Sequence, residues 1–251
     1  MKCLRLVFAA WGTVLRARPA ALLEMAAAYA VVLLAAVLAS LGTLLSGAAA
    51  VVLWVLGIAV FLSLLSFTVG AAFAAIGEAV RGDAPTPYVA RGRAFFWRTL
   101  GTIGFAMLLA LPSLIVGTVA LAILVATVIS SFDAGVSGGA GLVDTSLLLF
   151  LASFCLGLVS TPVIYSLEAG VFVGGSAAGP ALRAAFPEAF TGRRFWRWLL
   201  VALIIAAFGA LSAFLRSVPG VLGVFLGSIA AVLALWLGIS LAFANWKTNR
   251  A

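Results

Sequence analysis

The sequence predicts an all-α polytopic membrane protein with six transmembrane helices and cytoplasmic interfacial amphipathic helices in an approximate internal repeat. Three observations lead there: the composition, the length of the apolar runs and the placement of the basic residues. Hydrophobic residues are 65% of the 251 and charged residues 9%, with a mean hydropathy of +1.29. Charged residues are about a quarter of an ordinary soluble domain. So much apolar sequence can be shielded only by lipid or by other helices, which predicts one integral domain over residues 1–251.

About 20 apolar residues carry a helix across a bilayer. The candidate spans are Ala20 to Leu41, Ala49 to Ala79, Leu100 to Ile129, Ser146 to Leu167, Trp198 to Leu215 and Val221 to Phe243. Four Lys or Arg residues precede the first span, four (Arg81, Arg91, Arg93, Arg98) separate the second from the third, and four (Arg183, Arg193, Arg194, Arg197) separate the fourth from the fifth. Lys247 and Arg250 follow the sixth, and Arg216 alone falls on the other side. Cytoplasmic loops retain Lys and Arg during insertion, so both termini are expected in the cytoplasm. The formal net charge of +8 would suggest nucleic acid on a soluble protein. Here the basic residues flank apolar runs, where anionic lipid headgroups supply the countercharge, and nucleic acid is not expected as a partner. The alanine-rich, lysine-poor composition points to a prokaryotic cytoplasmic membrane.

The first run follows Lys2, Arg5, Arg16 and Arg18, as a signal peptide would. Its core of about 20 residues exceeds the ~7 to 15 of a cleavable signal, which predicts a retained first helix. The second and third runs, about 30 residues each, would reach near 45 Å against a core of roughly 30 Å, so they must tilt, protrude or break. Pro112 in the third and Pro162 in the fourth are natural kink points. A packing kink is the plain account; a broken helix exposing carbonyls to a substrate is the alternative. Gly42 to Gly47 and Arg216 to Gly220 read as tight turns, and Ser130 to Thr145 as a Gly-rich loop. The spacing of Asp133 and Asp144 in that loop does not by itself make a cation site. Cys3 and Cys155, the only cysteines, fall on levels a leaflet apart and are not expected to bridge.

Two cytoplasmic segments nearly match: Gly92-Arg93-Ala94-Phe95-Phe96-Trp97-Arg98 and Gly192-Arg193-Arg194-Phe195-Trp196-Arg197, each running into a span. A weaker version, Leu4, Phe8, Trp11 and Leu15, opens the chain. These suggest repeat units 3–80, 84–179 and 180–247, each an interfacial helix followed by an apolar hairpin, with a period of about 90 residues. Trp and Phe favour the headgroup level, and Arg pairs with lipid phosphate while its stem stays in apolar surroundings. Trp11, Arg93, Trp97, Arg98, Arg194, Trp196, Arg197 and Trp198 are therefore the expected lipid-interface anchors, and Trp246 falls at the same boundary. Leu182, Phe186 and Phe190 make an apolar stripe for a helix lying along the membrane, with Pro187 interrupting it. Ala84-Pro85-Thr86-Pro87 supplies a turn and helix start.

Arg81-Gly82-Asp83, the short Pro- and Arg-containing segment after it, Gly92 to Arg98 and the long apolar helix beyond resemble a group of prokaryotic multi-pass membrane proteins. That group includes the membrane domain accompanying some glycerophosphodiester phosphodiesterases. The resemblance spans Phe61 to Leu215 and implies architecture alone: with no histidine and no soluble segment large enough for a barrel, no catalytic residue carries over.

The absence of histidine excludes Ser-His-Asp and Cys-His catalysis and the common zinc sets, and no G-x-x-x-x-G-K-[ST] occurs. No enzyme, cofactor or metal is expected. Three acids lie in or beside apolar runs. Glu24 and Glu78 are expected to pair with neighbouring arginines at headgroup depth, because an unpaired charge in lipid costs at least ~2.5 kcal/mol. Glu168 follows Ser160-Thr161-Pro162-Val163-Ile164-Tyr165, and apolar sequence resumes after it. Thr161, Tyr165 and Glu168 form the candidate intramembrane polar site, for a substrate or a proton. Gly170, Gly174, Gly175 and Gly179 favour the plainer account of close helix packing. The function expected is a non-catalytic scaffold or accessory subunit engaging anionic lipid and a membrane or cytoplasmic protein partner. The alternative is a transporter or permease subunit for a small apolar or amphiphilic solute. A polar-lined cavity reaching mid-membrane would favour transport; tightly packed spans with an exposed groove would favour a partner.

Overall fold

The computed structural model describes residues 11–12, 14–16, 19–42, 48–134 and 140–250; the side chains of 36–42, 48–50, 53, 130–134, 140–143, 192–194 and 248–250 lie outside the description. Cys3, Leu4, Phe8, residues 43–47 of the expected turn, residues 135–139 of the Gly-rich loop, and the side chains of Asp133 and Arg194 therefore fall outside the described residues; the rest of the expected loop is helical, taken up by the helices Tyr88–Ala134 and Ala140–Phe172. The chain runs through α1 (Ala20–Gly42), α2 (Ala48–Arg81), α3 (Tyr88–Ala134), α4 (Ala140–Phe172), α5 (Ala178–Phe190), α6 (Gly192–Arg216) and α7 (Val221–Arg250).

Five of these helices are long and apolar enough to cross a membrane, over Trp54–Arg81, Tyr88–Ile129, Asp144–Phe172, Phe195–Arg216 and Val221–Lys247. The described apolar stretch of α1, Ala20–Ala35, is shorter. Among the described residues, five crossing-length helices thus stand where the sequence predicts six. The multi-pass character holds, and the exposed surface agrees with it: leucines, valines and phenylalanines lie open along the outer halves of α2, α3, α4, α6 and α7.

The largest departure from expectation is α3. It is one helix of 47 residues, about 70 Å long at 1.5 Å per residue, so the segment Gly92 to Arg98 is not a separate interfacial helix. Pro85 and Pro87 stand just before it, where proline favours a helix start, and no breaker separates Arg98 from the apolar run. After α4 a separate short helix does form: α5 buries Ala178, Ala181, Ala185, Glu188 and Ala189 and leaves Phe186 and Phe190 exposed. Pro187 does not end it. Nor do Pro112 and Pro162 break α3 and α4. Beside Pro162, the Ser160 and Thr161 hydroxyls donate to the Gly157 carbonyl at 3.1 and 2.6 Å, so the turn before the proline carries side-chain bonds of its own.

The helices close together at one end. Lys247 Nζ at the end of α7 donates to the Val80 carbonyl at 2.5 Å, and Arg81 Nη1 at the end of α2 donates to Phe172 O at the end of α4, also at 2.5 Å. Gly82, at φ 85°, turns the chain out of α2, and its N–H returns to Glu78 O at 2.9 Å. The start of α3 is tied to the same end by its arginine, described below. The core sits here: the Phe172 ring lies 5.3 Å from Phe73, 5.4 Å from Phe95 and 6.1 Å from Phe243, joining α2, α3, α4 and α7. Helix backbones approach closely where glycine permits. A Cβ on Gly77 would meet Phe172 O at 2.4 Å, and one on Gly174 would meet the Trp246 ring at 2.8 Å. Gly170 packs likewise against Ala181, whereas Gly175 serves the turn after α4 at φ 69°.

Towards the other end, α3 and α4 hold each other by a reciprocal pair of hydrogen bonds. Ser113 Oγ donates to Ser153 O and Ser153 Oγ to Ser113 O, both at 2.8 Å. Each serine stands four residues before a glycine, Gly117 and Gly157, and a Cβ on Gly117 would lie 2.9 Å from Ser153 Oγ. At the end of α6 remote from the basic segments, Arg216 donates to the Tyr29 hydroxyl.

Candidate functional site

The basic end of the bundle carries a buried ionic cluster. Arg91 is in the first turn of α3 and 4% exposed. Its Nη2 pairs with Glu24 of α1, and its Nη1 lies 3.4 Å from Glu78 Oε2 of α2. Nε donates to the Ala71 carbonyl at 3.1 Å and Nη1 to the Thr86 carbonyl at 2.6 Å. A planar guanidinium with donors in a fixed fork can serve two carboxylates and two carbonyls at once, which an ammonium cannot. The expected pairing of Glu24 and Glu78 with arginine is present, and one arginine serves both acids.

Around this cluster lie the expected anchors. Arg93, Trp97 and Arg98 project from the first turns of α3, with Trp97 76% exposed. The Arg98 guanidinium lies over the Phe95 ring, 5.5 Å from its centroid. Trp196, 68% exposed, and Arg197 project from the first turns of α6. Each tryptophan meets the preceding phenylalanine edge-on, Phe96–Trp97 at 5.1 Å and Phe195–Trp196 at 5.6 Å. The exposed Phe186 and Phe190 of α5 adjoin the second group through the Phe190–Phe195 stack at 6.1 Å.

Three tryptophans depart from the anchor role. Trp198 is 0% exposed, in the core. Residues two apart on a helix point about 200° apart, so Trp196 and Trp198 cannot share a face. Trp11 packs against the core and donates its indole N–H to Leu237 O at 3.2 Å; burial of the ring with its donor satisfied replaces contact with headgroups. Trp246 is buried against Gly174.

The intramembrane candidates also separate. Thr161 spends its hydroxyl proton on the Gly157 carbonyl, and Tyr165 packs against the core cluster. Glu168 instead lines a cavity of about 310 Å³ between α2, α3 and α4. Its neighbours there are Val69 and Phe73 of α2, Thr99 and Thr102 of α3, and Ile164 and Phe172, one turn before and after it on α4. The Glu168 Oε2 atom is buried and has no hydrogen-bond partner among the described residues. Apart from this carboxyl and the two threonines, the lining is apolar. Sequence reasoning missed Thr99 and Thr102: a threonine in an apolar run is common, and only the approach of α4 gives these two a shared space with Glu168. Among the described residues no three acids or cysteines gather in a way that could hold a metal ion.

No family model, curated protein or solved structure matches this chain. The candidate site therefore stands on its own geometry.

Proposed function

We propose that this is a non-catalytic protein of a prokaryotic cytoplasmic membrane, crossing it six times with both termini in the cytoplasm. It acts as a scaffold or accessory subunit that holds anionic lipid and a membrane or cytoplasmic protein partner on its basic face. The observation that carries this reading is the exposed group Arg93, Trp97, Arg98, Trp196 and Arg197, carried by the first turns of two helices at the end where the bundle is closed. Arginine meets phosphate bidentately, tryptophan rests at headgroup level, and each basic side chain near an anionic surface contributes about 1 kcal/mol. A sixth crossing is supported by the length of α1, whose 23 residues reach about 34 Å against a hydrocarbon core of roughly 30 Å. The likeness to the membrane domain accompanying some glycerophosphodiester phosphodiesterases is proposed for the architecture alone.

The test is reconstitution in nanodiscs of phosphatidylcholine with and without phosphatidylglycerol, reading unfolding by tryptophan fluorescence. Phosphatidylglycerol is expected to raise Tm, and the gain should shrink in high salt and in the triple variant Arg93→Ala, Arg98→Ala, Arg197→Ala. Equal Tm in both lipids would refute the reading. A second reading, carriage of an amphiphilic solute, is favoured by one feature, the cavity beside Glu168.

A further inference from the structure

We infer that the cavity beside Glu168 is a binding site for an amphiphilic primary amine, an ammonium head on an unbranched apolar tail. Occupancy of this cavity is independent of the lipid-holding role of the basic face.

The head is selected by the polarity of the lining. Thr99 Oγ1 donates to Phe95 O and Thr102 Oγ1 to Arg98 O, each at 2.8 Å. A hydroxyl has one hydrogen, so neither threonine keeps a proton to donate to a guest. Glu168 adds a buried carboxyl oxygen without a partner among the described residues. Glu168 and the two threonines are thus the polar residues of the lining, and no Lys or Arg belongs to it. An ammonium presents three donors and no acceptor, and a carboxylate paired with it no longer stands as an unpaired charge in lipid. A phosphate or carboxylate head would find no positive charge in the lining.

The tail is selected by the shape. The lining on α3 runs from Thr99 to Leu114, about 22 Å of helix. The polar groups gather at its start, near the basic end of the bundle, and Ile103, Ala106, Ala110 and Leu114 continue it as an apolar wall. The volume of about 310 Å³ holds about ten water-sized groups at roughly 30 Å³ each, which suits a tail of medium length. Met107 and Leu114 belong both to the lining and to the exposed apolar surface. The amine therefore enters sideways from the hydrocarbon, tail in the apolar part and head at Glu168.

The experiment uses the full chain in dodecylmaltoside micelles with a decylamine bearing a terminal diazirine, adducts being mapped by peptide mass spectrometry. Labelling is expected to saturate and to concentrate on Met107, Ala110 and Leu114, to be competed by decylamine and not by decanoate, and to fall at least tenfold in Glu168→Gln. Ala110→Phe, which leaves the carboxyl in place and fills the tail channel, should lower labelling as well; it serves if Glu168→Gln does not fold. Labelling that is unsaturable, spread along all exposed apolar faces, equally competed by decanoate, or unchanged in whichever variant folds would overturn the assignment.

Discussion

Arg91 shows how much one side chain decides in this protein. It joins α1, α2 and α3 by meeting Glu24 and Glu78 and two carbonyls from a nearly sealed position. Removing one member of a buried ionic group leaves the others uncompensated, which costs about 3–5 kcal/mol. Arg91→Leu should therefore lower stability by about that amount in detergent, read as loss of Tm. Adding Glu24→Gln and Glu78→Gln in that background should recover part of the loss, because the stranded charges are then gone. Arg91→Lys should rescue little, since a single ammonium cannot reach both acids and both carbonyls. If Arg91→Leu unfolds at the wild-type temperature, the cluster is a surface pair of no structural weight.

At the scale of elements, the pair α3 and α4 has a symmetric solution to antiparallel contact. Ser113 and Gly117 on one helix face Ser153 and Gly157 on the other, and the serine hydroxyls exchange bonds to each other's backbones. Interhelical hydrogen bonds in lipid average about 0.6 kcal/mol, so shape rather than polarity carries most of this contact. Gly117→Leu, whose Cβ alone would meet Ser153 Oγ at 2.9 Å, should destabilise by about 1–3 kcal/mol through overpacking. Ser113→Ala with Ser153→Ala should cost about 1 kcal/mol. Both are checked by thermal unfolding, and the reverse order of severity would show that the hydrogen bonds dominate. Pro112 stands next to Ser113, so this contact with α4 holds the α3 backbone at its proline.

For the whole molecule, the ends of α2, α4 and α7 and the starts of α1 and α3 meet at one pole, where most of the buried residues lie. Away from it the helices expose their apolar sides. This polarity predicts the topology. With Cys3 and Cys155 replaced by serine, Arg93→Cys and Arg197→Cys should react with a membrane-impermeant maleimide from one face of sealed vesicles, and Val218→Cys from the other. Reaction of the first two from opposite faces would end the six-crossing proposal.

The helical class, the long apolar segments and the clustering of arginines were legible in the sequence because hydropathy and run length are local quantities. The ionic partnership of Glu24 and Glu78 with arginine was legible too, though not that Arg91 meets both. Trp198 reads like Trp196 on paper, and Thr99 and Thr102 read like any threonine in an apolar run. A helix apolar on every side carries no stripe to reveal its rotation about its own axis, and that rotation decides which tryptophan is buried and which threonines meet Glu168. Only the packing of the helices against one another settles it: the close approaches at Gly77 and Gly117 fix how α2, α3 and α4 face each other, and the core takes Trp198 of α6.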